Sequence, residues 1–201
     1  RKALEAKKSP REFVDEMSKY FLELCEKFNI SYDDFIRTTE KRHEKAVVEI
    51  FKRLEKNGDI YKGVYEGLYC VECETYYASD DLVQGKCPTH NKPVELLKEE
   101  SYFFKLSAYQ KKLIYFLEKN PDYLLPKEKR NEILERLKIP LKDLSISRAS
   151  FEWGIKLPND SKHIFFVWVD ALTNYLTTVG FPDKKFEEFW PADMHLIGKD
   201  I

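Results

Sequence analysis

At 201 residues the chain can fold as one medium-sized domain or two small ones. Its 34 Lys and Arg nearly balance 35 Asp and Glu, so the net charge of −1 excludes a general attraction to nucleic acid or acidic lipid. No apolar run approaches the roughly 20 residues that cross a bilayer, and no signal-peptide pattern is present, so we expect a cytoplasmic protein without a membrane partner. Because the chain starts with Arg1 and stops in the stretch HLIGKDI, we also expect a piece of a longer protein.

The first third of the chain predicts two amphipathic helices and a strand. Ser9 and Glu12 form a capping box, and the apolar residues of 14–28 repeat at helical spacing behind it. A second helix follows and ends at Gly58. The segment 59–70 is rich in aromatic and β-branched residues, which favours a strand.

The last half predicts helices followed by apolar strands. A second capping box, Ser107 with Gln110, opens one helix, and the proline-bounded segment 126–140 predicts another. Three apolar strands come next: DLSISR, HIFFVWV and MHLIGKDI. Two of them run into helix starts, which is typical of an α/β protein with a parallel, doubly wound sheet whose ligands lie at the carboxyl ends of strands.

Three of the four cysteines and one histidine crowd into residues 69–93. The pattern is CxxC, thirteen residues and CxxH, formed by Cys70, Cys73, Cys87 and His90. Two such pairs, each on its own turn, can converge on a tetrahedral ion, and Zn²⁺ suits thiolate and imidazole donors. Four protein ligands leave no position open for water, so the spacing predicts a structural zinc site.

Other interpretations of this cluster stay open. The cysteines could be ordinary buried thiols or form a disulfide, although a reducing compartment disfavours a disulfide and gives the histidine no part in it. The remaining histidines have no comparable partners near them in sequence and are expected to be ordinary surface or core residues: His43, His163 and His195.

A second candidate site follows the strand HIFFVWV. Trp168, Ala171, Leu172 and Tyr175 fall at i, i+3, i+4 and i+7, so they share one helix face just beyond a strand end. Such a stripe most often belongs to a core. Two bulky aromatics around a small alanine would also line a slot for one flexible apolar side chain.

Three further residues are candidates only in context. Gly198 would let the backbone approach a ligand, and Asp200 is placed to bond ribose hydroxyls, although many strands end in such residues. Arg148, at the end of LSISR, is a surface cation by default and an anion holder only beside a ligand.

The succession of motifs resembles the methionyl-tRNA synthetase family of class I aminoacyl-tRNA synthetases along nearly the whole chain. The segments that carry the resemblance are YCVECETYY with CPTH, ESYFFKLSAYQ, RNEILERL, DLSISRASFEWGI, FVWVDALTNYL and HLIGKDI. The resemblance implies a Rossmann-type parallel sheet with an inserted zinc-knuckle connective domain. Residues 1–65 would belong to the first half of the Rossmann-type domain, 66–143 would form the insertion with the knuckle, and 144–201 would return to the Rossmann-type domain.

The resemblance also implies roles for single residues. The methionine pocket would be lined by Trp168, Ala171, Leu172, Tyr175, Ile201 and Arg148. Gly198 and Asp200 would approach the adenylate. Some family members carry proline where Leu172 stands. A single knuckle with His90 as its fourth ligand matches one subgroup of the family.

The implied activity is the ATP-dependent ligation of methionine to tRNA through methionyl-adenylate, with methionine, ATP with Mg²⁺ and methionine-specific tRNA as partners and with structural zinc. The sequence contains neither the His-Ile-Gly-His signature nor the Lys-Met-Ser-Lys-Ser loop of the family. We therefore assign no catalytic residue here and expect the fragment alone to be inactive. The alternatives are a zinc-knuckle binding module without catalysis and a purely structural protein.

Overall fold

The computed structural model describes residues 2–72, 75–77, 81–150 and 152–198. The helices are Lys2–Glu5 (α1), Pro10–Lys27 (α2), Lys41–Lys56 (α3), Gln110–Lys119 (α4), Lys127–Arg136 (α5), Val167–Thr178 (α6) and Phe186–Phe189 (α7). The strands are Ile60–Cys70 (β1), Thr75–Tyr77 (β2), Glu95–Phe104 (β3), Leu144–Ser145 (β4), Ser147–Arg148 (β5), Lys156–Leu157 (β6) and Asp160–Phe165 (β7). The chain divides into a smaller unit, Arg1–Ala46 with Thr173–Ile201, and a larger unit, Val47–Leu172.

Helix α2 begins as the sequence predicts. The Ser9 hydroxyl accepts from the Glu12 N–H at 3.2 Å, and the Glu12 carboxylate accepts from the Ser9 N–H at 2.9 Å, which confirms the capping box. Its apolar face is less covered than the pattern suggests, since Phe21 is 60% and Phe28 70% exposed. Neither α2 nor any other described helix has the length and apolar character to cross a membrane.

The interior of the smaller unit is partly polar. Its buried residues are Ala3, His43, Ala46, Thr173, Thr177 and Phe181. The His43 ring nitrogen Nδ1 lies 3.1 Å from the Thr177 hydroxyl, which in turn donates to the carbonyl of Thr173 at 3.0 Å. The buried imidazole is therefore held by side-chain hydrogen bonds, as an ordinary core histidine would be.

The larger unit is built on two antiparallel sheets. One has the strand order β2-β1-β3-β4, and in it β1 and β3 pair from Ile60 with Phe104 to Tyr69 with Glu95. The other has the order β5-β7-β6. A hydrophobic core is formed by Val47, Phe51, Ile146, Leu157 and Phe165. These residues come from helix α3, from β6 and β7 of the second sheet and from between β4 and β5, and Tyr102 and Phe104 of the first sheet pack against them.

The α/β class is confirmed, whereas every pairing among the described strands is antiparallel. Ser147 pairs with Phe165 and Arg148 with Ile164, so β5 and β7 run in opposite directions. Residues 149–159 connect them through β6 and contain no described helix, whereas parallel neighbours need a longer crossover, usually helical. The expected parallel sheet is therefore not seen among the described strands, and residues 194–198 form no strand.

Helices α4 and α5 form a hairpin whose start differs from the prediction. Ser107 lies in a 3₁₀ turn, where its N–H and hydroxyl donate to the Asp143 carboxylate at 3.1 and 2.6 Å. Gln110 donates to the carbonyl of Leu137 at 2.6 Å. The expected capping box between Ser107 and Gln110 was wrong because both side chains bond residues distant in sequence.

The chain passes between the smaller and larger units at 46/47 and 172/173, and this division does not test the domain boundaries expected at 65/66 and 143/144. Those boundaries stay predictions.

Candidate metal centre and ligand-binding residues

Three of the four predicted zinc ligands converge at one end of the four-stranded sheet. Cys70 is the last residue of β1, and Cys87 and His90 lie between β2 and β3. The His90 Nδ1 atom is 4.0 Å from Cys70 Sγ and 3.8 Å from Cys87 Sγ. The three ligand atoms all lie within 4.8 Å of one another, and we call them the zinc-ligand group.

The geometry of the zinc-ligand group fits a tetrahedral ion. With Zn–S near 2.3 Å and Zn–N near 2.1 Å, sulfur and nitrogen stand about 3.6 Å apart around zinc. The observed separations of 3.8 and 4.0 Å need only a small inward movement. Cys70 and Cys87 are buried and His90 is exposed. The fourth predicted ligand, Cys73, lies outside the described residues.

The Cys87 sulfur accepts hydrogen bonds that favour its charged form. The His90 N–H donates to it at 3.4 Å, and the Tyr77 hydroxyl lies 3.6 Å away. Burial raises the pKa of the Cys87 thiol, but the hydrogen bonds from His90 and Tyr77 outweigh burial and lower that pKa to about 5. The thiolate, which is the metal-binding form of cysteine, is therefore favoured at neutral pH.

The predicted methionine stripe lies on helix α6. In the larger unit, Trp168 is 47% and Leu172 55% exposed, and Ala171 between them is half-buried. In the smaller unit, Tyr175 is half-buried and stacks on His195 with ring centroids 5.1 Å apart. The exposure of the indole and of Leu172 argues against the interpretation of this stripe as plain core.

Arg148 is not the surface cation expected by default, since it is only 2% exposed. Its Nε lies 3.3 Å from the Glu99 carboxylate, and its guanidinium carbon stands 3.8 Å from the centroid of the Phe166 ring. One of its NH groups donates to the Ser145 hydroxyl at 2.6 Å and to the Ser147 carbonyl at 2.7 Å. Paired charge and multiple hydrogen bonds are what a buried guanidinium requires.

Three buried serines continue this polar network through the sheets. The Ser101 hydroxyl lies 2.7 Å from that of Ser145 and donates to the Ser147 carbonyl at 2.9 Å. The Ser147 hydroxyl accepts from the Tyr102 N–H and lies 3.1 Å from Nδ1 of the buried His163. Sequence analysis missed this network because its members come from β3, β4, β5 and β7.

His163 also belongs to a second set of clustered donors. Its Nε2 is 3.6 Å from the Glu100 carboxylate and 3.8 Å from that of Asp160, and we call these three the carboxylate-histidine group. The Lys62 ammonium lies 2.6 Å from Glu100 and 3.1 Å from Asp160. The hydrogen bonds from Lys62 lower the pKa of both carboxyl groups.

The predicted adenylate residues are described only in part. Gly198 is exposed and lies outside any helix or strand. Asp200 and Ile201 lie outside the described residues.

Comparison with known proteins connects these features to one family. The sequence model of the family described as "tRNA synthetases class I (M)" matches residues 1–94 and 89–201. The methionine–tRNA ligase of Caldanaerobacter subterraneus subsp. tengcongensis is 50% identical over 196 residues, covering 96% of this chain and 31% of the relative. That of Rickettsia prowazekii is 50% identical over 194 residues, covering 96% and 38%.

A solved structure is similar in fold as well. Mycobacterium tuberculosis methionyl-tRNA synthetase in complex with methionyl-adenylate superposes with a TM-score of 0.91 at 42% identity, covering 98% of this chain and 40% of that one. The chain therefore spans about a third of the length of these curated relatives.

Proposed function

The chain belongs to the class I methionyl-tRNA synthetase family, and from that premise we propose that the whole protein ligates methionine to tRNA at the expense of ATP. The observation that carries the proposal is the family match along the chain. It is supported by the TM-score of 0.91 with a relative whose structure was solved in complex with methionyl-adenylate. Because the chain spans only part of its relatives, the activity is assigned to the whole protein. This segment would contribute amino-acid-binding and zinc-binding parts.

We propose that helix α6 presents the methionine-binding face. The exposed indole of Trp168 and the exposed Leu172, with Ala171 between them, leave room for a flexible side chain. Tyr175 continues the same sequence stripe. Contacts of a thioether with aromatic rings contribute roughly 0.3 to 1.5 kcal/mol each, which favours methionine over an isosteric hydrocarbon.

Arg148 would support this face as a positioning residue. Its guanidinium lies against Phe166, two residues before Trp168, and is fixed by Glu99 and Ser145. By family match, Ile201 would complete the methionine pocket, while Gly198 and Asp200 would approach the adenosine of the adenylate.

The chemistry proposed for the whole protein has two steps. The methionine carboxylate attacks the α-phosphorus of ATP, bound with Mg²⁺, and displaces pyrophosphate; the acyl group then moves to the terminal ribose of tRNA. Neither step needs a protein nucleophile, so the residues of this chain would act by binding and orienting methionine.

We propose that Cys70, Cys73, Cys87 and His90 hold a structural zinc ion in the whole protein. When bound, zinc would cross-link the end of β1 to the turn before β3 and stabilise a segment with little apolar material. The separations within the zinc-ligand group support this assignment.

The domain organisation is part of the same proposal. Residues 66–143 would be a connective insertion that carries the knuckle, between parts of a Rossmann-type domain at 1–65 and 144–201. The direct succession of β7 and α6 supports this, because a strand leading into a helix is the repeating unit of such a domain. Its parallel neighbours would have to come from the rest of the protein.

The test is methionine binding by the full-length protein and its Trp168→Ala variant. Loss of the contacts of a large aromatic ring is expected to weaken methionine binding roughly 10- to 100-fold. Isothermal titration with free methionine measures the two dissociation constants directly.

Trp153→Ala is the matched control, because this second tryptophan is 51% exposed and lies outside the proposed pocket. It should bind methionine as the unaltered protein does. Equal affinity in the Trp168→Ala variant would remove α6 from the pocket, whereas no methionine binding by the unaltered protein would favour a zinc-knuckle binding module.

A further inference from the structure

One face of helix α4 exposes two lysines and two aromatic rings. Lys112, Tyr115, Phe116 and Lys119 fall at i, i+3, i+4 and i+7, which places them on the same side of the helix. Aromatic rings at this spacing normally face a core, yet Tyr115 is 64% and Phe116 41% exposed. We call these four residues the α4 stripe.

The rings of the α4 stripe combine with neighbouring groups into a platform. The Lys119 ammonium lies 5.9 Å from the centroid of the Tyr115 ring. Tyr123, which is 69% exposed, packs edge to face against Phe116 with centroids 4.6 Å apart. Lys112 stands 5.3 Å from the ring of Tyr109. Exposed aromatic surface and ammonium groups therefore alternate along one surface.

The hairpin holds this platform in place. Arg130 on α5 donates two hydrogen bonds to the Leu117 carbonyl on α4, at 2.8 and 3.2 Å. Gln110 donates to the carbonyl of Leu137 at 2.6 Å. Leu117 and Leu137 are each 6% exposed, so the apolar contact of the hairpin is made by residues outside the α4 stripe. The stripe thus lies outside the contact between α4 and α5, and Tyr123 of the connecting loop packs on one of its rings.

Charge distinguishes the hairpin from the strands before it. Residues 105–142 carry ten Lys and Arg against five Asp and Glu, whereas residues 66–100 carry three against eight. A chain that is nearly neutral overall therefore has a local positive region, which attracts phosphate.

The lysines of the α4 stripe differ from two lysines on and just after α5. On α5 and just after it, Lys129 pairs with Glu132 at 2.6 Å and Lys138 with Glu135 at 2.5 Å. Among the described residues, neither Lys112 nor Lys119 forms an ion pair. Lys112 and Lys119 therefore flank the exposed rings with no described carboxylate within ion-pair distance, a property they share with other basic residues of the hairpin such as Lys111 and Lys127.

We propose that the α4 stripe binds single-stranded RNA. Bases would stack on Tyr115 and Phe116 while Lys112 and Lys119 contact the phosphates on either side, which is how proteins hold single strands without reading their sequence. The inference rests on the proposed function, because the RNA substrate of the whole protein would supply the strand. A protein partner would have to bring carboxylates to the two ammonium groups as well as an apolar surface to the rings, whereas RNA supplies both phosphates and stacking bases.

The first test removes charge with Lys112→Gln/Lys119→Gln in the full-length protein. The probe is a fluorescein-labelled single-stranded RNA of about twelve nucleotides, a length within the usual site sizes. Since each phosphate contact with a single strand contributes about 0.7 to the salt slope, the slope of log K against log salt should fall by about 1.4.

The second test removes stacking with Tyr115→Leu, which keeps an apolar side chain on the helix. RNA affinity should fall about tenfold while the salt slope stays the same, since no phosphate contact is lost. If Tyr115 had only a structural role, its replacement would not lower the RNA affinity while leaving the salt slope unchanged.

Lys129→Gln/Lys138→Gln is the matched control, because it removes two charges of the same hairpin that are already paired with carboxylates. It should change the salt slope far less. An equal change in both double variants, or no change in either, would overturn the assignment of RNA to the α4 stripe. So would lower thermal stability of Lys112→Gln/Lys119→Gln, which would show that the rest of the protein covers the stripe.

Methionine-dependent exchange of pyrophosphate with ATP separates this inference from the proposed function, because that reaction needs no RNA. The variants of the α4 stripe should retain it. Absence of exchange in the unaltered protein would defeat the proposed function, whereas normal exchange with unaltered RNA binding in the variants would defeat only the inference about the stripe.

Discussion

Among its described residues, the larger unit contains two sets of three clustered ligand side chains, and they differ in chemistry rather than in geometry. Both the zinc-ligand group and the carboxylate-histidine group bring their donor atoms within 4.8 Å. The first offers two thiols and an imidazole. The second offers two carboxylates and an imidazole, with the Lys62 ammonium 2.6 and 3.1 Å from the carboxylates. Proximity of donors therefore does not by itself define a metal site.

The difference lies in what balances the negative charge. In the carboxylate-histidine group, Lys62 on β1 supplies the cation, so the cluster is complete as an ion-pair network. In the zinc-ligand group, Cys87 is held toward its charged form by hydrogen bonds from His90 and Tyr77. A soft donor poised as a thiolate suits Zn²⁺, whereas hard donors beside an ammonium do not need it.

The largest expected effect comes from Cys87→Ala, which breaks the zinc-ligand group. Loss of a ligand should abolish tight zinc binding, which contributes on the order of 10 kcal/mol in small zinc modules. Hydrogen exchange should accelerate at the ligand end of β1 and β3 while the core around Phe51 stays protected. Zinc analysis of the purified variant, together with exchange, checks both expectations.

Cys25→Ala is the control for that change, since Cys25 lies on α2 in the smaller unit. It should retain zinc. Full zinc content in Cys87→Ala would show that the three described donors do not act together.

A smaller effect is expected from Lys62→Ala, which should make the carboxylate-histidine group resemble the zinc-ligand group in its ability to bind a metal ion. Without the ammonium, Glu100, Asp160 and His163 become a set of hard donors in need of a cation, and added Zn²⁺ should bind as a second ion. In the absence of metal the variant should be only slightly less stable, because exposed ion pairs contribute little. Zinc titration and denaturant unfolding measure the two effects.

The double variant Lys62→Ala/His163→Gln provides the control, because it removes the imidazole as well. It should not take up the second ion. If it binds zinc as well as Lys62→Ala does, the carboxylate-histidine group is not the source of the new site.

The smallest effect is a dependence on pH. Lys62 lowers the pKa of Glu100 and Asp160 in the folded protein, so the unfolded chain binds more protons near pH 4. The stabilisation is present above the unfolded pKa of about 4 and is lost as pH falls through the lower folded values. The stability difference between the unaltered protein and Lys62→Ala should therefore shrink between pH 7 and pH 3 in urea unfolding. A difference that grows toward pH 3 would contradict the assigned charges.

The sequence predicted correctly those features that depend on contacts between residues close together in the chain. The capping box of Ser9 and Glu12 formed because both partners lie within one turn. The box of Ser107 and Gln110 has the same spacing but failed, since Asp143 and Leu137 offered better partners from far along the chain. Spacing alone indicates a local contact that distant residues can replace.

The candidate site divides in the same way. The convergence of Cys70, Cys87 and His90 could be predicted because paired turns carry their own geometry. The burial of Arg148 could not, because its partner Glu99 lies on a strand whose position depends on the whole sheet. The carboxylate-histidine group was missed for the same reason, since no motif links β3 with β7.

The hydrogen bonds among the three buried serines hold one end of the long β1–β3 pair. Ser101 is tied to Ser145 and Ser147 near the point where β3 meets β4, while the zinc-ligand group lies at the opposite end of the long β1–β3 pair. At about 3.3 Å per residue, the span from Ser101 to Glu95 is roughly 20 Å. A rotation of about 5° at the serines would therefore move the metal end by about 2 Å. A small change in the hydrogen bonds of three serine hydroxyls would therefore be felt as a larger displacement at the zinc-ligand group.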